Sequence, residues 1–127
     1  MKIQLTTTRA EAAVTIKAAY DAGTLPAQNG LSGLYYAEVD GKVIRCAIGA
    51  LYSPEQARTL EGNGPDGPGN YMMAGELIVK GKLKVSDDEA FWFSNIQSAH
   101  DNWADTDAER YPDERAKAEK HFLGLLQ

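Results

Sequence analysis

The chain of 127 residues has one cysteine, Cys46, and two histidines, His100 and His121. One thiol closes no internal disulfide and builds no cysteine-rich zinc site. It suits a reducing compartment. No stretch approaches the run of about 18 apolar residues that a membrane-spanning helix needs. The N-terminal stretch has Lys2 but no apolar core behind it, so no secretion signal is expected and the cytosol is the expected compartment. Basic residues are scarce in one place above all. Residues 86–114 hold a single base, Arg110, against nine acids, a balance of −8 within a chain of net charge −5. Such a segment repels nucleic acid, because binding there needs bases that displace phosphate counterions. It suits instead a basic protein surface, or serves as a solvated helix face.

Length and composition describe one domain over residues 1–127, large enough to fold on its own core. Four stretches fit the capping box, in which a hydroxyl and a later carboxylate or amide each satisfy a free backbone N–H. They are Thr8–Glu11, Ser53–Gln56, Ser86–Glu89 and Thr106–Glu109. The first helix is expected from Arg9 to Ala22, with Gly23 as its cap. A hairpin is expected over residues 34–45, turning at Asp40-Gly41. Cys46–Leu51 reads as a buried helical turn, and Ser53–Leu60 as a short helix. Residues 61–70 hold four glycines and two prolines and read as a mobile surface loop. They lack the Gly-Lys-Ser/Thr ending of a phosphate loop. Tyr71–Val85 is ambiguous, with Leu83 and Val85 favouring a short extended piece. A long helix over 87–103 carries Trp92, Ile96, Ala99 and Trp103 on one stripe. A final helix is expected over 113–126. The fold class is α+β: a helix-rich domain with one β-hairpin packed among about four helices.

Few residues can carry chemistry. Cys46, at the start of a helical turn beside Arg45, is placed where a helix end lowers a thiol's pKa. A cysteine nucleophile needs a base, and His100 is the candidate. Consecutive helix residues diverge by about 100°, so Asp101 is badly placed to orient that ring, and Asn95 or Gln97 would have to do so. The plainer reading is that Cys46, His100 and His121 are packing residues. No spacing suggests a metal site, and nothing calls for a cofactor. Phe91, Trp92 and Phe93 are adjacent and cannot all enter one core. An exposed aromatic among acids is an anchor for a protein partner.

Gly41 with Cys46-Ala47-Ile48-Gly49-Ala50-Leu51, and later Ile96-Gln97-Ser98-Ala99-His100-Asp101-Asn102-Trp103, resemble blocks in small phage and prophage accessory proteins. The resemblance implies a phage-type gene and no particular activity. It singles out Cys46, Gly49, His100 and Asp101. The leading expectation is a non-enzymatic protein that occupies a host protein's basic surface, as an anti-defence inhibitor of the anti-CRISPR kind would. Its contact residues would be Phe91, Trp92, Asp101, Trp103, Asp105, Asp107 and Glu109, with no direct nucleic-acid contact. Two alternatives stand beside it. One is a cysteine-dependent hydrolase or transferase using Cys46 and His100, with backbone N–H groups of Ala47–Gly49 as an oxyanion hole. The other is a binder of a small nucleotide-like ligand, lined by Tyr35, Tyr36 and the 61–70 loop, with Arg45, Arg58, Lys80, Lys82 and Lys84 as the available bases.

Overall fold

The computed structural model describes residues 4–25, 35–60 and 74–127. Its first helix, α1 (Arg9–Ala22), begins where the capping box requires. Thr8 accepts from the Glu11 N–H, and the Glu11 side chain accepts from the Thr8 N–H. Gly23 ends it in the left-handed conformation at φ 71°, which a side chain would resist. Ahead of α1 lies a strand of two residues, β1 (Leu5–Thr6).

The expected hairpin forms between β2 (Ala37–Val39) and β3 (Lys42–Ile44). Asp40 and Gly41 both take positive φ, 52° and 79°, the pairing that matches the right-handed twist of the flanking strands. The chain then winds through a 3₁₀ turn, Gly49–Leu51, into the short helix α2 (Pro54–Arg58), capped reciprocally by Ser53 and Gln56. The glycine-proline stretch 61–70 lies outside the described residues.

The ambiguous region resolves into α3 (Ala74–Val79) and β4 (Leu83–Lys84), with Gly81 at φ 73° between them. β4 pairs in parallel with β1, Leu5 opposite Leu83. β4 lies in the extended piece that the alternation at Leu83 and Val85 favours, whereas β1 and the pairing carry no such signal.

Two capping assignments need correction. The long helix α4 runs Ala90–Asp105, not 87–103, and Ser86–Glu89 forms a turn ahead of it. The Glu89 carboxylate is engaged elsewhere, accepting from the Arg9 N–H at 2.9 Å and joining the starts of α4 and α1. Thr106 ends α4 and does not begin the next helix; its hydroxyl donates to the Asn102 carbonyl at 2.6 Å. Asp107 then accepts from the Glu109 and Arg110 N–H groups, and α5 (Pro112–Leu125) starts at the proline.

The whole is a helix-rich α+β domain with α4 as its spine. Trp92, Phe93, Ile96, Ala99, Trp103 and Ala104 are buried along α4. Phe122 of α5 stacks on Trp103 with ring centres 5.6 Å apart, and Tyr20 of α1 completes the aromatic group. Ile16 from α1, Ile48 and Leu77 fill the remaining core. No described helix is long and apolar enough to cross a membrane.

Gly49 passes so close to Tyr35 that a Cβ would lie 2.5 Å from the Tyr35 carbonyl oxygen. Backbone on both sides cannot yield as a side chain would. Gly49→Ala is expected to lower stability by about 1–3 kcal/mol, the usual range for overpacking. Gly124→Ala, with nothing within 4 Å, is expected to leave stability unchanged or raise it by up to about 1 kcal/mol. Urea unfolding of the two variants checks both signs.

Candidate functional site

Gln97 and Asp101 of α4 meet Cys46 where the 3₁₀ turn packs on the helix. The turn presents its backbone N–H groups to the helix because hairpin strand β3 delivers Cys46–Ile48 into the core. Gln97, fully buried on α4, reaches across and accepts from the Ile48 N–H at 3.1 Å. Its amide nitrogen donates to Asp101 Oδ1 at 2.8 Å, one turn further along α4. His100 Nδ1 lies 3.5 Å from that same oxygen. That approach is not a hydrogen bond, so Asp101 does not orient the ring, as the helix angle leads one to expect. Gln97 holds the half-buried Asp101 carboxylate back against the helix.

His100 is fully buried between α4 and α5. Trp103 and Phe122 stand at 5.8 and 5.7 Å from its ring centre. Cys46 is also fully buried, and its sulfur accepts from the Gly49 N–H at 3.4 Å. Burial pushes its thiol up to about 12. The N–H groups of Gly49 and Ile48 and the Gln97 amide pull the other way and do not prevail, and the Asp101 charge adds to the rise. The helical turn at Cys46 thus fails to activate it: the turn is short and the sulfur is dry. At neutral pH the group is a thiol, which is a poor nucleophile.

The aromatic and acidic candidates separate into two kinds. Trp92 and Trp103 are core residues. Trp92 Nε1 donates to the Leu125 carbonyl at 2.9 Å, and the guanidinium groups of Arg9 and Arg115 cover the two indoles. Phe91 alone points outward, 82% exposed, beside a shallow apolar groove formed with Gly75 and Ile78. Asp101 is half-buried in the network just described, whereas Asp105, Asp107 and Glu109 are exposed at the α4–α5 corner. Helix α4 is roughly 24 Å long at 1.5 Å per residue, so Phe91 and this corner mark its opposite ends. Gln97, which links the candidates, was noticed in the sequence only as a partner for His100. A polar residue one position from the apolar stripe of Ile96 was the signal available.

Among the described residues, no group of three or more histidine, cysteine, aspartate or glutamate side chains could hold a metal ion. Tyr35 is fully buried, and Tyr36 donates to Glu38.

The fold and this geometry define a helix-rich α+β protein whose Cys46 thiol and His100 imidazole lie inside and whose Asp105, Asp107 and Glu109 lie outside. No family model, no curated protein and no solved structure matches the chain.

Iodoacetamide at pH 8 is expected to leave Cys46 unmodified in the native protein and to modify it on unfolding. The high thiol value also sets a pH dependence. Above the ordinary value of 9.0, the unfolded chain loses this proton while the folded chain keeps it. Stability attributable to Cys46 is therefore complete below pH 9 and declines towards pH 12, by at most about 1.4 kcal/mol per pH unit. Denaturation midpoints between pH 8 and 10.5 should fall more steeply in the wild type than in Cys46→Ala. Parallel curves would contradict the assignment.

Proposed function

We propose that this is a non-enzymatic binding protein of phage type, acting in the host cytosol by occupying a basic surface of a host protein. The observation that carries this reading is the division of labour among the acids of residues 86–114. Glu89 and Asp101 are half-buried and hold the fold, through the Arg9 N–H and Gln97 respectively. Asp87, Asp88, Asp105, Asp107, Glu109, Asp113 and Glu114 are exposed. Asp113 and Glu114 also favour the start of α5, where the helix dipole is positive. The corner acids Asp105, Asp107 and Glu109 cluster between two rigid helices, and Arg110 is the one exposed base among them.

A fixed field of this sign attracts a basic surface and speeds its encounter. Host proteins that hold nucleic acid present such surfaces, and an inhibitor covering one would act against a defence system such as a CRISPR effector. The exposed Phe91 offers an apolar contact at the far end of α4. The alternative of a cysteine enzyme draws no support from a dry, protonated Cys46.

Affinity capture from bacterial host lysate tests the reading, using the wild type and an Asp105→Asn/Asp107→Asn/Glu109→Gln variant. The wild type should retain a basic partner in stoichiometric amount at low salt and release it near ~0.5 M salt, where screening shortens the field to a few ångströms. The variant should retain about tenfold less. Recovery of no stoichiometric partner, or equal retention by the variant, would count against it.

A further inference from the structure

An open cleft of about 370 Å³ runs between α4 and α5. Its floor is the buried Ala99 and the half-buried Leu125, and its walls are Asn95, Ser98 and Asn102 from α4 and His121 from α5. The three α4 residues recur at i, i+3 and i+7 and so share one face of the helix. They and His121 are exposed, and no hydrogen bond among the described residues uses their side chains. Among the described residues, no carboxylate, lysine or arginine lines the cleft. Past Asn102 the surface becomes acidic at Asp105, Asp107 and Glu109.

An asparagine amide offers an acceptor and donors side by side. That is the complement of the C=O and N–H that each residue of an extended chain presents. Asn95 and Asn102 are seven residues apart, roughly 10.5 Å along the helix axis. An extended peptide covers that span in about three residues. Ser98 falls between the two amides, and His121 closes the opposite wall. The small Ala99 lets a chain settle between the helices.

We infer that this cleft binds an extended peptide segment of a protein partner through its main chain, with a lysine or arginine at the end that reaches the 105–109 corner. The inference rests on the reading of this protein as a binding module, and it adds how the partner is held. Main-chain hydrogen bonds supply affinity in such complexes, and the flanking charge sets which peptide is preferred. A neutral sugar would meet the same polar walls, but it would gain nothing from the adjoining acids.

The test is an NMR titration of the ¹⁵N-labelled full chain with the peptide Ala-Ser-Ala-Ser-Arg-Arg and with the same peptide N-methylated at its two central amides. Shifts centred on residues 95, 98, 102 and 121 are expected with the first peptide. N-methylation should weaken binding about tenfold or more, as losing one or two hydrogen bonds would. The Asn95→Ala/Asn102→Ala variant should show the same loss. It should remain folded, because alanine favours helix at exposed positions. Equal binding of both peptides, with shifts confined to 105–114, would overturn the cleft while leaving the acidic-surface reading intact. No shift at millimolar peptide would overturn it as well. Conversely, binding that is sensitive to N-methylation in a protein that captures no basic partner would sustain the cleft and sink the broader reading.

Discussion

The side-chain amide of Gln97 is the constraint on which the rest of the structure depends. It is fully buried, so each end must find a partner inside the protein or cost about 1–3 kcal/mol. One end accepts from the Ile48 N–H, which the 3₁₀ turn cannot satisfy internally; the other donates to Asp101. The turn is thereby fixed to the middle of α4. From that point the hairpin, Cys46 and the tight contact between Gly49 and Tyr35 take their positions. On the other side of α4, His100 is locked against Trp103 and Phe122. A hydrophobic side chain at position 97 would fill the space and leave the Ile48 N–H and the Asp101 carboxylate without this partner.

The same constraint separates chemistry from surface. Cys46 and His100 are the residues a reactive site would draw on, and both lie in the dry interior around Gln97. Phe91, Asn95, Ser98, Asn102 and Asp105 of α4 meet solvent instead.

Much of the fold was legible because it is written locally. Thr8 with Glu11, Ser53 with Gln56, Gly23 and Asp40-Gly41 each act through their nearest neighbours, and each sits where its chemistry demands. Glu89 and Thr106 were misread for the opposite reason. Both belong to a capping pattern, but Glu89 is claimed by Arg9, eighty residues away, and Thr106 by the end of the preceding helix. The extended piece at Leu83 is written in local alternation, but its pairing with β1, about eighty residues away in sequence, is not. Within the site, crowding of Phe91, Trp92 and Phe93 requires that one turn outward but does not say that it is Phe91. The burial of Trp92 and Trp103 follows from the stripe they share with Ile96 and Ala99 and corrects their listing as contact residues; the partners Phe122, Leu125, Arg9 and Arg115 arrive from elsewhere in the chain.

The central claim is that Gln97 ties the 3₁₀ turn to α4 as one cooperative unit. Native-state hydrogen exchange at the Ile48 amide tests it most directly, with the Ile96 amide in the middle of α4 as reference. Exchange at Ile48 only through global unfolding, at the same free energy as Ile96, is the expected result. Exchange at Ile48 through a local opening several kcal/mol cheaper would contradict it, and the turn would then be a separate, loosely held piece.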